Sequence, residues 1–394
     1  SCELSLRQTL HIYGKTNITS SSYGEGKAPI IQAGGLKRVV DIYNSQHIQM
    51  KNIHLIGNGN NIFGIRIKGD SRNITINQCH ISRFLWGIRL MGYSKEVTLE
   101  RITVEKTLIE EIADDGIFAQ HVAGLVIDSC VIRKVNQKWF RQGRSEAQAP
   151  GDGVQLIKCN GFTINYCQID RSDTGNKFCI IANKSSNGTI KNNTLQGPAA
   201  EGHGGAAVYL GYGSDSIKMM NNNIRRSPCG LYCHASNVVV YRNKFFDNQV
   251  GAWFININKG VVLNNTFWNN SIALKGSNLE VYNNIFYHEQ STDPLIAIEQ
   301  SCKTGYNCYF SGNRRNIIQN YGTLEAYSLR SGNGAHAFFA NPLVEKIDSG
   351  LFVPAENSPC INKGMRVKSF WGIIYTSCDE RVDIGATERC KYLE

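Results

Sequence analysis

Val262-Leu263-Asn264-Asn265-Thr266-Phe267 is followed shortly by Val281-Tyr282-Asn283-Asn284-Ile285-Phe286, and an earlier stretch, Thr189-Ile190-Lys191-Asn192-Asn193-Thr194-Leu195, carries the same phrase. Each copy is an apolar strand, an Asn pair, and a second apolar strand. Weaker copies extend the register to Asn52, Cys79, Arg101, Cys130, Cys167, Asn193, Asn223, Asn243, Asn265 and Asn284. A second phrase precedes each copy: Gly64-Ile65-Arg66-Ile67, Gly87-Ile88-Arg89-Leu90, Gly116-Ile117-Phe118-Ala119, Gly153-Val154-Gln155-Leu156, Ala207-Val208-Tyr209-Leu210, Gly230-Leu231-Tyr232-Cys233 and Gly251-Ala252-Trp253-Phe254. Its apolar residues stand at alternate places, so one face of a strand is buried. Three short strands per repeat of about 20–30 residues, with no helical period between them, define a solenoid. The expected fold is all-β: a right-handed parallel β-helix of about ten or eleven coils with an irregular C-terminal segment. Coils stack about 4.8 Å apart, so like residues form ladders, and a buried Asn ladder satisfies its own amides from coil to coil. A β-sandwich is disfavoured because hairpin turns are scarce.

Composition agrees with this reading. The chain has 394 residues, 42% hydrophobic and 19% charged, which excludes a disordered chain or a coiled coil. No apolar run reaches the ~20 residues of a membrane span, and Ser1-Cys2-Glu3 opens no charged-then-apolar leader. The net charge of +10 suits a polyanion. The basic residues are scattered, which favours an acidic polysaccharide over nucleic acid. The 13 cysteines show no zinc-type spacing; Cys79, Cys130 and Cys167 fall in the inward ladder and read as core thiols.

The chain resembles the bacterial right-handed β-helix repeat proteins, the superfamily that includes pectate, alginate and chondroitin lyases. Its ending strengthens the likeness. Phe339-Ala340-Asn341-Pro342-Leu343, Asn357-Ser358-Pro359-Cys360-Ile361-Asn362-Lys363-Gly364 and Val382-Asp383-Ile384-Gly385-Ala386 look like the "NPLF … SPAIDAG … DIGAYE" ending of secreted bacterial members. The resemblance implies export, with a secreted, periplasmic or cell-surface location. Export makes disulfides possible, with Cys302–Cys308 and two of Cys360, Cys378 and Cys390 as the candidates. The expected organisation is a β-helix over 1–290, with inserted loops at 102–115, 131–152, 168–177 and 195–206, and a closing segment over 291–394.

The longer repeats must shed their excess as loops between the strand after the ladder residue and the next Gly-aliphatic strand. All four then overhang one face, and insertions on a rigid scaffold are where binding and chemistry reside. In β-helix lyases and glycosidases the substrate groove lies on this sheet, and the resemblance implies the same here. By alternation, the outward positions include Arg66, Arg89, Phe118, Gln120, Gln155, Tyr209, Tyr232, His234 and Trp253. Aromatic faces stack on sugar C–H faces, and Arg forks grip carboxylates. Arg89, Gln120, Gln155, Tyr209, Tyr232, His234 and Trp253 are therefore the candidate substrate-binding residues.

Four loop clusters reach this face: Asp114-Asp115-Gly116; Gly151-Asp152-Gly153; Asp170-Arg171-Ser172-Asp173 with Asn176-Lys177; and Glu201-Gly202-His203-Gly204. Asp-Gly is also an ordinary turn signal. Two of them at the same place in successive coils, however, set their carboxylates about one coil spacing apart. Such carboxylates repel unless a cation or a shared proton compensates. Oxygen ligands of this kind suit Ca²⁺, with Asp114, Asp115, Asp152 and Asp173 as the candidate set. The constellation meets the needs of β-elimination on a uronate: the sugar carboxylate must be neutralised and a nearby base must take the C5 proton. Lys177 is the leading base, beside Asp115 and Asp152; Arg171 is a candidate to bind the substrate carboxylate or a cap of its own loop, and His203 and His234 are candidate acids for the leaving oxygen. Some calcium-dependent pectate lyases pair a "GDDG" loop with a later Lys in "NGFKL"; this chain is similar, with the order changed to Asn176-Lys177-Phe178. Polygalacturonase-like β-helices carry "NTDG", "GDD" and "GHG" turns, so hydrolysis by two carboxylates is an alternative. A C5-epimerase and a non-catalytic glycan-binding or adhesive β-helix are the others.

Overall fold

The computed structural model describes residues 3–22, 28–59, 61–94, 98–135, 151–172, 177–198, 205–367 and 382–388. The chain winds as a parallel β-solenoid of about 11 turns, with an irregular C-terminal segment. It divides into two compact units, Ser1–Ser214 and Asp215–Glu394.

Every full coil of the first unit visits three sheets in turn. His80–Ser82 lies in sheet A, Trp86–Met91 in sheet B and Leu99–Glu105 in sheet C, and the next coil repeats the path with Leu108–Ile112, Ile117–Gln120 and Val122–Asp128. Pairing is parallel and nearly one-to-one, for example Ile88 with Ile117 and Ile117 with Val154 in sheet B. The second unit follows the same path from Asp215–Met220 to Cys308–Ser311. After the helix Leu324–Ser331, Phe338–Phe339 adds a further parallel strand to sheet A, and the chain then runs into the antiparallel pair Val344–Glu345 and Val353–Pro354. Among the described residues no helix is long and apolar enough to cross a membrane.

The ladder stands at the corner between sheets C and A. In the second unit Asn243, Asn265 and Asn284 are buried, and backbone N–H groups bond the Oδ1 of the next coil's Asn at 2.8–3.0 Å across spans of 19 to 23 residues. The Asn265 Nδ2 also donates to Asn284 Oδ1 and to Val240 O, so its buried amide is satisfied by the neighbouring coils. Phe245, Phe267, Phe286 and Tyr309 stack behind the ladder at 4.8–5.2 Å.

Three ladder positions need correction. Ile53, Thr107 and Asn222 occupy it, not Asn52, Arg101 and Asn223: Cys79 N–H donates to Thr107 Oγ1, and Asn222 is fully buried with its N–H on Asn243 Oδ1. Each corner needs a left-handed residue just before the buried one, as at Asn192, Asn264 and Asn283. Asn tolerates that conformation, so Asn52, at φ 54°, marks the corner one place early. Arg101, at φ 52°, interrupts Leu99–Glu105. Cys79, Cys130 and Cys167 are buried free thiols at the ladder, as the sequence suggests. Cys302, Cys308 and Cys360 are also free and buried, so no Cys302–Cys308 disulfide forms, and Cys308 lies beside Cys360 in one apolar cluster. Cys378 and Cys390 lie outside the described residues.

Much of the 102–115 stretch is strand, in Leu99–Glu105 and Leu108–Ile112. The remaining inserted segments leave between sheets A and B of the first unit, after Val131–Val135, Gln168–Asp170 and Thr194–Gln196.

Candidate functional site

The turn from sheet A into sheet B is tight because of its glycines. A Cβ on Gly87 would stand 2.6 Å from the Gly116 carbonyl oxygen, one on Gly116 would stand 2.7 Å from Gly153 O, and one on Gly153 would stand 2.5 Å from Cys179 O. At these three coils a residue without a side chain fits; Cys179 and Ala207 hold the same place in the two coils that follow. The residue before this glycine heads sheet B. Counting back along the register from Ile65, Ile88, Ile117, Val154 and Ile180 gives one row: Phe63, Trp86, Asp115, Asp152, Phe178. Two carboxylates therefore replace the aromatic residues that hold this row in neighbouring coils.

Both carboxylates are buried and both are tied to the next coil. Asp115 Oδ1 accepts from Asp152 N–H at 2.8 Å, and Asp152 Oδ1 accepts from Phe178 N–H at 3.0 Å. The Asp-Gly pairs thus serve as inter-coil caps. Their electrostatics go further than capping requires. Burial, then the charges of Asp152 and Asp114, pushes the Asp115 carboxyl well above the usual carboxylate range. Burial pushes Asp152 up to about 6, against the charges of Arg171 and Lys177 and the Phe178 N–H bond. Two carboxylates this close share protons as a unit. Arg171 is fully buried at the end of the Gln168–Asp170 strand, and its N–H donates to Gln196 O.

Arg89 adjoins this pair. Its guanidinium lies 4.4 Å from the Trp86 ring centre, 5.1 Å from Phe118 and 5.4 Å from Phe63. Burial lowers its pKa, while Asp114 and Asp115 raise it. Among the described residues no carboxylate forms an ion pair with it, and its buried Nε has no hydrogen-bond partner. Arg66, its neighbour on the preceding strand, differs. Asp41 takes Arg66 Nε and Nη2 at 2.8 and 2.6 Å, Arg38 Nη1 at 2.8 Å and the Tyr13 hydroxyl at 2.7 Å. These donors outweigh burial and hold Asp41 down at about 2. Asp41 was missed as a site-shaping residue, although it is the lone acid in the outward row His11, Asp41, Arg66, Arg89. It removes Arg66 from the set of free cations.

The outward stripe is as alternation predicts. Phe118, Gln155, Ile181 and Tyr209 continue the Arg89 row, and Tyr209 stacks on Phe178 at 5.1 Å. Gln120 lies in a parallel row between Met91 and Ile157. Tyr232, His234 and Trp253 lie in the second unit, where Tyr232 packs edge-on against His234 and Trp253 at 5.0 and 5.3 Å. Burial lowers the His234 pKa. The structure therefore brings Asp114, Asp115, Asp152, Arg171, Lys177 and Arg89 into one electrostatic cluster. Asp173 and His203 lie outside the described residues. Among the described residues no three His, Cys, Asp or Glu side chains form a group able to hold a metal ion.

The model of the right-handed β-helix region matches residues 37–194 and 178–332. No curated protein matches the chain. Among solved structures, the pectate lyase Pel9A aligns over 97% of this chain and 97% of its own, at 14% identity and a TM-score of 0.50. The periplasmic alginate epimerase AlgG aligns over 72% and 71%, at 13% identity and a TM-score of 0.47. The Dettilon tailspike protein gp208 aligns over 80% and 62%, at 12% identity and a TM-score of 0.41. At these identities the likeness is one of fold. With the family model spanning most of its length and the three-sheet coil repeated throughout, the chain belongs to the right-handed β-helix family.

Proposed function

We propose that the protein is a carbohydrate-active β-helix that cleaves an acidic, uronate-containing polysaccharide by β-elimination. The observation that carries this reading is Arg89: a guanidinium framed by three aromatic rings, without a carboxylate partner among the described residues, beside a buried pair of carboxyls that burial pushes above the usual carboxylate range. Arg89 receives the substrate carboxylate and withdraws charge from it, which acidifies the C5 proton. Lys177 or Asp152 takes that proton, the C4–O4 bond breaks as the C4=C5 bond forms, and Asp115, whose carboxyl burial and the neighbouring acids push up, supplies a proton to the leaving O4. Arg171 balances the charge that builds on the acid pair. Tyr209, Gln155 and Gln120 line the sheet face over which the chain of sugars runs, and export to the periplasm or cell surface follows from the polymeric substrate. An epimerase would share the C5 proton abstraction and return the proton to the opposite face. A hydrolase would use the same carboxyl pair as acid and base.

Incubation with pectate, alginate and glycosaminoglycans, with and without Ca²⁺, tests the reading. Unsaturated, ultraviolet-absorbing chain ends support it. New reducing ends without that absorbance indicate hydrolysis, and an altered epimer ratio at constant chain length indicates epimerisation. Retention without turnover leaves a binding protein, and the catalytic proposal falls.

A further inference from the structure

The second unit holds a pocket of about 360 Å³ beside sheet B, lined by Trp253, Lys275, Glu299, Asn256, Gln319 and Asn320. This is the lower end of the range for small-ligand sites. Its composition is an aromatic wall, one cation, one acid and several amides. Lys275 follows Trp253 in register on the next strand, and its Nζ stands 4.2 Å from the Trp253 ring centre. Among the described residues no acid pairs with Lys275, although Glu299 lines the same pocket. The ammonium is therefore held on an indole face rather than by a carboxylate. Gly276, the next residue, places no side chain in the pocket.

We propose that this pocket is a subsite for a single carboxylated pyranose. Its carboxylate draws the Lys275 ammonium off the indole, and the exposed indole face then stacks against the C–H face of the sugar. A cation–π contact is exchanged for a charge-assisted bond plus a stacking contact. The amides of Asn256, Gln319 and Asn320, with the Glu299 carboxylate, take the ring hydroxyls, which offer both donors and acceptors. The inference deepens the uronate reading of the glycan-active face and rests on it for the choice of an acidic sugar.

Sugars that differ only at C6 test the assignment. The full chain is titrated by calorimetry and saturation-transfer NMR with galacturonate against galactose, and with mannuronate against mannose. At least one acid should bind tenfold or more tightly than its neutral counterpart, and 0.5 M salt should erase most of that preference. Lys275→Met should abolish the preference while leaving the neutral sugar within about twofold. Trp253→Ala should weaken both, and Trp253→Phe should retain part. Circular dichroism verifies that each variant folds. Equal binding of acid and neutral sugars, no binding of either, or a preference unchanged in Lys275→Met overturns the subsite. Turnover of polymer by wild type, measured in parallel, separates the two proposals. Turnover with no Lys275-dependent binding removes the subsite alone; Lys275-dependent binding with no turnover of any polymer removes the lyase reading alone.

Discussion

Replacing Asp152 by Asn should stabilise the protein at neutral pH while abolishing its activity. Asn retains an Oδ1 for the Phe178 N–H, so the inter-coil cap survives at its 3.0 Å geometry. What is lost is a buried charge. Asp152 sits at about 6 in the folded chain against an ordinary value of 3.8, a difference worth about 3 kcal/mol at about 1.4 kcal/mol per pH unit. The sign follows from proton binding. A carboxyl whose folded pKa is raised holds its proton more tightly in the folded state, so wild-type stability is greatest below about pH 4 from this group. It falls as pH rises toward 6 and carries the full penalty above that. Asn carries no such penalty, though Arg171 loses some compensating attraction. The variant should exceed wild type by about 1–3 kcal/mol at pH 8, and the gap should close toward pH 4. The assay is thermal and urea unfolding of both proteins at intervals from pH 4 to 8, followed by circular dichroism. A variant less stable than wild type at pH 8, or a gap that does not change with pH, would refute the reasoning. Either result would mean that Asp152 is fully ionised and held as a structural ion pair.

Further perturbations probe the other layers of the account. Asn265→Ala leaves the buried Asn243 N–H without its 2.8 Å acceptor and should cost about 2–4 kcal/mol, read as a lower unfolding midpoint. Gly153→Ala drives a Cβ to 2.5 Å from Cys179 O; soluble yield and the stability of the coils should both drop, while the same change at Gly35, which has open space and no left-handed backbone, should be nearly silent. Asp41→Asn breaks the network that holds Asp41 at about 2. Because that pKa is depressed, its stabilisation is present above about pH 4 and lost as pH falls toward 2, so the variant should differ from wild type by about 1–2 kcal/mol at pH 7 and converge with it in acid.

The solenoid was legible because its determinants are periodic. The Asn pairs, the opening glycines and the alternating apolar residues each report a contact that recurs in every coil, and a repeat of a contact is a repeat of a residue. The three register slips arose where that link loosens. The corner requires a left-handed residue followed by a buried one, and a lone Asn at position 52 fits the first role better than the second. The cluster at Asp115, Asp152, Arg171 and Lys177 was legible for the same reason, since stacked coils bring equivalent turn positions together. The clamp at Asp41 was not, because its three partners, Tyr13, Arg38 and Arg66, come from different coils or strand positions and their meeting depends on side-chain reach rather than on period. The place of Asp115 and Asp152 in an aromatic row was present in Phe63-Gly64 and Trp86-Gly87. It becomes meaningful only once the register shows that Arg89 is enclosed by the same rings.

Arg89 as the receiver of the substrate carboxylate is the central assignment. The measurement that tests this directly is the initial rate at which unsaturated chain ends form on the best acidic glycan, compared between wild type and a folded Arg89→Gln variant. The Arg89→Gln rate should fall a hundredfold or more, about 3 kcal/mol of transition-state stabilisation. A variant that releases such ends at the wild-type rate would contradict that assignment.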